Sequence, residues 1–157
     1  MLVKDILDVD FINYKNTSMV ISFPRCNWKC EKECGKQVCQ NSALANAPDI
    51  EMPIEKIIDR YLNNGMSKAV VCGGLEPLDS WSDLLLFIKK FREKSQDDIC
   101  IFTGYYKEEI IDKINILKQF KNITIKYGRY IPGHEKHYDD VLGVYLASDN
   151  QYAEVIS

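Results

Sequence analysis

From residue 53 onward the chain repeats one pattern, an amphipathic stretch of helix length followed by an apolar run of strand length. That alternation restricts the fold to successive β-α units around a largely parallel sheet, the α/β class. Ile54, Ile57, Ile58, Tyr61 and Leu62 recur at helical spacing, with Pro53 suited to a first turn and Gly65 to the stop. A strand is predicted over residues 69–72. Ser80 and Asp83 then stand in capping-box positions ahead of an apolar face of Trp81, Leu84, Leu85, Ile88 and Phe91. A second strand is predicted over 99–102. A third helix places Glu108 and Glu109 in its first turn and Ile110, Ile111, Ile114 and Leu117 on one face, before a strand over 123–127. Upstream, residues 11–14 and 18–23 read as two further strands. Residues 128–140 read as a Gly-, His- and Asp-rich loop, and 141–146 as a last apolar segment.

At 157 residues, 46 % hydrophobic and 27 % charged, the chain fits a single globular domain, 1–157. A net charge of −3 without a Lys/Arg run argues against nucleic acid as a partner. No stretch approaches the roughly 18 apolar residues of a membrane helix. The start MLVKDILDVD lacks the basic segment and apolar core of a signal peptide, so a cytoplasmic protein away from membranes is expected.

The six cysteines sharpen this. Cys26, Cys30, Cys34 and Cys39 fall within fourteen residues, in a loop at 24–42. In a reducing compartment such crowding is best explained by thiolates holding a metal or an iron-sulfur cluster. Lys29, Glu31, Lys32, Glu33, Lys36 and Gln37 make the loop too polar for core. Zinc is the rival, although structural zinc usually draws two cysteine pairs from separate knuckles. Cys100, inside a strand pattern, reads as core, and Cys72 as core or a close neighbour of the site. Trp28 would shield a cluster or an apolar patch. His134 and His137 read as surface residues.

Parallel β-α folds bind ligands at the carboxyl ends of their strands, which here carry FPRC, CGGLEP, FTGYY and YGRY. Glycines in such turns let a ligand approach the backbone closely. Taken in order, the cysteine loop, Gly73-Gly74-Leu75-Glu76-Pro77, Thr103-Gly104-Tyr105 and Ser148-Asp149-Asn150-Gln151 resemble the radical S-adenosylmethionine family, and within it the activases of anaerobic ribonucleoside-triphosphate reductase. The resemblance covers nearly the whole chain. It implies an incomplete parallel β/α barrel with a 4Fe-4S cluster and S-adenosyl-L-methionine as cofactors. Cys26 and Cys30 match the first two cluster cysteines. The family spacing C-x3-C-x2-C then fails, because Glu33 stands at the third position. Cys39 is favoured as the third ligand, since Cys39-Gln40-Asn41 resembles the family's Cys-aromatic-Asn, and Cys34 is the alternative. If both bound, the cluster would have no open iron. Cofactor contacts are implied for Gly73, Gly74, Glu76, Thr103, Ser148 and Asn150. Tyr127 departs from the family's Asp-Gly-aromatic segment, and Leu75 is an insertion.

The implied activity is reductive cleavage of S-adenosylmethionine to a 5′-deoxyadenosyl radical, which makes a glycyl radical on a partner enzyme, anaerobic ribonucleotide reductase. A flavodoxin or ferredoxin would donate the electron. The alternatives are a radical enzyme acting on a small molecule or peptide, and a non-catalytic zinc or iron-sulfur binding module.

Overall fold

The computed structural model describes residues 1–157. In chain order the elements are β1 (Leu2–Val3), β2 (Asp5–Asp10), β3 (Ser18–Phe23), α1 (Lys29–Cys34), α2 (Ser42–Asn46), β4 (Ile50–Glu51), α3 (Ile54–Asn64), β5 (Ala69–Gly74), α4 (Trp81–Arg92), β6 (Asp98–Phe102), α5 (Ile111–Leu117), β7 (Ile123–Tyr127), β8 (His137–Asp139), β9 (Val144–Leu146) and β10 (Tyr152–Val155). Six strands form one sheet in the order β10-β7-β6-β5-β3-β2. The central four, β3, β5, β6 and β7, run parallel, while β2 and β10 close the two edges antiparallel. No helix is long and apolar enough to cross a membrane.

The parallel strands advance across the sheet in one direction. With crossovers of the usual right hand, that places α3, α4 and α5 together on one face. Their buried residues, among them Ile57, Leu84, Phe87, Ile88, Ile114 and Leu117, pack on Met19, Ile21, Val70, Ile99, Ile101, Ile123 and Ile125 in the larger core. Side chains of the alternate strand positions point the other way. There a smaller core gathers Tyr14, Ala69, Val71, Cys100, Leu142, Leu146 and Ala153 at one end. Toward the carboxyl ends of the strands this face opens into a cavity lined by Val20, Ser22, Gly73, Phe102 and Lys126.

The element bounds agree closely with the sequence pattern at β3, α3, β6 and β7; the loop expected at 24–42 carries two short helices, α1 and α2, and other differences have local causes. Residues 11–14 are not a strand: the Asp10 carboxylate accepts the N–H groups of Ile12 and Asn13 at 3.2 and 2.9 Å, turning the chain there, and the strand is β2 instead. Ser80 makes no cap, and its buried hydroxyl has no partner. The helical path is initiated earlier by Glu76, whose carboxylate accepts the Leu78 N–H at 3.0 Å ahead of a 3-10 turn at Pro77–Ser80. Ile111 is exposed rather than part of the α5 apolar face, because Lys107–Glu109 form a separate 3-10 turn that resets the helical phase. Residues 128–136 are loop as expected, but 137–146 form a hairpin, β8 with β9, and the last sheet strand is β10 beyond it. Its four residues are too short to carry a readable alternation.

Gly74 tests the close approach of β5 to β3. Its φ is +88°, and a Cβ would lie 2.7 Å from Ser22 Cα and 2.8 Å from Phe23 N. Gly133 has a similar φ of +82° with open space around it. Gly74→Ala is expected to destabilise the fold by at least about 3 kcal/mol and Gly133→Ala by about 1 kcal/mol, read from urea unfolding midpoints.

Candidate metal centre

Cys26 follows the carboxyl end of β3, and the turn after β5 is stitched to the same exit. Leu75 N–H donates to Phe23 O at 3.2 Å, and Glu76 N–H to Arg25 O at 2.8 Å. The segment between Cys26 and Cys30 is pinned at three points. Asp79 accepts the Asn27 N–H at 2.7 Å and the Tyr105 hydroxyl at 2.6 Å, while Asn27 Nδ2 donates to that hydroxyl at 2.6 Å. Lys29 pairs with Glu109 at 2.8 Å. Trp28 takes a left-handed conformation, φ 60°, to enter α1, and Gly35 at φ 67° ends it. The return half of the loop is held by Asn41, whose Nδ2 donates to Gly74 O at 2.7 Å.

Three sulfurs, those of Cys26, Cys30 and Cys39, line one cavity of about 430 Å³, within the usual range for ligand pockets. Cys34, the last residue of α1, does not line it. The Cys26 sulfur accepts the Trp28 N–H at 3.3 Å, and the Cys39 sulfur accepts the Asn41 N–H at 3.4 Å. The Tyr130 N–H faces Cys30. Such bonds favour thiolate over thiol. Burial dominates without metal, pushing the Cys26 thiol up to about 11 and raising that of Cys30. No three His, Cys, Asp or Glu side chains converge on a point for a single ion. Cys26, Cys30 and Cys39 border a shared cavity instead. Beside them Gly104 leaves room: a Cβ there would fill the gap 3.6 Å from Cys30 Sγ and 3.7 Å from Glu76 Oε2. A polyhedral iron-sulfur group suits this donor set of soft thiolates in a roomy, partly dry pocket.

Of the residues singled out by sequence, Gly73, Gly74, Glu76 and Thr103 border the same cavity. Gly73 has space for a Cβ, its nearest neighbour being Phe102 Cβ at 3.8 Å, so its bareness serves the open backbone rather than packing. Glu76 is buried, and its oxygens accept the N–H groups of Leu78 and Gly104 at 3.0 and 2.9 Å. Burial pushes its carboxyl up to about 7 against the pull of those bonds. Ser148 and Asn150 lie off the cavity. Asn150 Nδ2 donates to Arg129 O at 2.8 Å, and Ser148 Oγ accepts the Ile131 N–H at 3.4 Å, so both shape the strand exit at 128–131. Ser148 and Gln151 are buried rather than part of a solvated tail. His134, exposed, pairs with Asp149 at 2.6 Å.

Sequence reading missed the charged groups. Arg129 is nearly fully buried, donates to Glu109 Oε1 at 2.7 Å and lies 3.0 Å from Glu33 Oε1, off the line of its Nε–H. Its bond holds the Glu109 carboxyl down to about 2. Lys126 borders the cavity with Cys30 among its charged neighbours, and burial pushes its ammonium down to about 8. A lysine inside the otherwise apolar strand run ITIKY was the available signal.

Fold and pocket together define an α/β protein with a cysteine-bordered cavity at the carboxyl ends of its parallel strands. The profile of the 4Fe-4S single cluster domain family matches residues 15–151, and the chain belongs to that family. No curated protein and no solved structure matches the chain. The group held is therefore a 4Fe-4S cluster.

The buried Glu76 predicts a pH signature of the apo protein. Unfolded, its carboxyl ionises near the ordinary 4.5; folded, it keeps its proton to about 7. It contributes nothing below both values, and stability is lost as pH rises from about 4.5 to 7, by up to about 3 kcal/mol. Between pH 5 and 7.5 the wild-type urea midpoint is expected to fall more than that of Glu76→Gln; equal changes would refute the assignment.

Proposed function

We propose that this chain is a radical S-adenosylmethionine enzyme whose cluster is held by Cys26, Cys30 and Cys39, with a glycyl-radical enzyme as its substrate. The observation that carries the reading is that three of the loop cysteines, and not four, share a cavity with the bare Gly73-Gly74 turn. Three ligands leave one iron of a cubane free for a small molecule. A cluster held by Cys26, Cys30 and Cys39 would supply one-electron reductive cleavage of S-adenosylmethionine, with a hydrogen atom taken from a glycine Cα of the partner.

The chain's own residues bind and orient. The open backbone at Gly73 offers hydrogen-bond acceptors for an amino group, while Gly74 O is already engaged by Asn41. Thr103 and Gly104 border the same cavity from the end of the neighbouring strand β6, where Glu76 holds the Gly104 backbone in place. The sheet order, with helices on one face and the cavity on the other, supports reading the fold as an incomplete parallel β/α barrel. Anaerobic ribonucleotide reductase is the proposed partner, flavodoxin or ferredoxin the proposed electron donor, and the cytoplasm the proposed compartment. A second reading, action on a small molecule or peptide, draws support from Tyr130, Tyr145 and Leu146, which wall the cavity from the chain's own 128–146 segment.

The test is anaerobic reconstitution of the full chain, reduction by dithionite with S-adenosylmethionine, and chromatographic assay for 5′-deoxyadenosine. Wild type is expected to cleave the cofactor, Cys30→Ala and Cys39→Ser to lose at least about 100-fold of that activity, and Cys34→Ser to keep it. A Cys34→Ser variant that loses its cluster while Cys39→Ser retains it would reverse the third-ligand assignment. A reconstituted cluster that leaves S-adenosylmethionine intact would end the radical reading. An EPR doublet on a glycine of the partner separates the first substrate reading from the second.

A further inference from the structure

Two lysines border the cavity. Lys29 is neutralised by Glu109 at 2.8 Å, whereas Lys126 has no carboxylate within ion-pair distance. Lys126 is 8 % exposed, and its one hydrogen bond runs from Nζ to Gly128 O at 3.1 Å. An ammonium carries three donors, so two stay unused. The groups facing it are Glu76, Cys30 and Cys100. Glu76 is the nearest acid but makes no ion pair with Lys126, its oxygens accepting from Leu78 and Gly104 instead, and Cys100 is a fully buried thiol of the small core. The remaining neighbour is the Cys30 sulfur. The second cation near that sulfur, Arg129, is offset by Glu109 and Glu33. A buried charge without a partner is expensive to keep, and a fold retains one where an anion arrives to meet it.

We propose that Lys126 is the fixed countercharge of the cluster and sets its reduction potential. The inference rests on the cluster being seated by Cys26, Cys30 and Cys39. A 4Fe-4S core of charge 2+ with three thiolates carries net −1, and the electron delivered by the reductant takes it to −2 with no proton or bond change. A nearby ammonium in a low-dielectric pocket stabilises the −2 state more than the −1 state, so it eases reduction and raises the midpoint potential. Lys126 is on this account a positioning charge, acting through the cluster rather than touching substrate.

The experiment is an EPR-monitored redox titration of the reconstituted full chain, with dithionite and mediators and without S-adenosylmethionine, so that its outcome is independent of whether the cofactor is cleaved. Lys126→Met removes the charge at similar volume, Lys126→Gln removes it while keeping a donor for Gly128 O, and Lys126→Arg keeps the charge. Iron and sulfide content are measured on each. The neutral variants are expected to hold wild-type iron with midpoints displaced to more negative potential, and Lys126→Arg to stay close to wild type. A neutral variant with full iron and a midpoint equal to or above wild type overturns the proposal. Loss of the cluster from both neutral variants overturns it too, because Lys126 would then serve the fold.

Discussion

The handedness of the β-α-β crossover governs this molecule. Each step from β3 to β5, β6 and β7 moves in the same direction, so the crossover helices α3, α4 and α5 fall on one face and the opposite face has no crossover helix to cover it. That bare face must be closed by irregular chain. The 11–16 turn and the β8–β9 hairpin close one end, and the cysteine loop spans the other. What is left between them is a cavity at the carboxyl ends of the strands, where backbone groups emerge without sheet partners. The location of the cavity follows from strand order before any particular side chain is considered.

A loop carrying cysteines must be rigid for its sulfurs to meet a cluster of set dimensions. Here rigidity comes from polar pins rather than from apolar packing. Asp79 and Tyr105 fix Asn27, Glu109 fixes Lys29, and Asn41 fixes the return strand of the loop to the Gly-Gly turn. Glu33, at the position where the family spacing would place a cysteine, faces the buried Arg129 instead. The two departures are one change in physical terms. An acid at that position joins the ionic group of Arg129, Glu109 and Lys29, and the longer loop brings Cys39 round to the cavity in its stead.

Much of the scaffold was legible in the sequence because it depends on periodicity. β3 and β7 match the pattern residue for residue, and α3 begins after Pro53 and stops at Gly65 as helix-end chemistry dictates. The errors fall where a single side chain overrides the pattern, as Asp10 does in turning residues 11–13, or where an element is too short to show one, as in β10. At the site, Cys26, Cys30, Cys39, Gly73, Gly74, Glu76 and Thr103 were legible and do border one cavity, while Ser148 and Asn150 support the neighbouring backbone. Lys126, Arg129 and Glu109 were not legible as site residues, because a lone charge in a sequence looks the same whether it faces water or a buried sulfur.

By itself the sequence determined β3, the run of β-α units from α3 to β7 and the class of chemistry, since thiols at that density in a polar loop suit soft metal ligation and little else. Only the tertiary structure decided which sulfurs share a space and which charges face them. The reason is that a pocket face is assembled from alternate residues of four parallel strands, Val20 and Ser22, Val71 and Gly73, Phe102, and Lys126. Their juxtaposition is set by register and crossover direction, and neither quantity is written in any one segment of the chain.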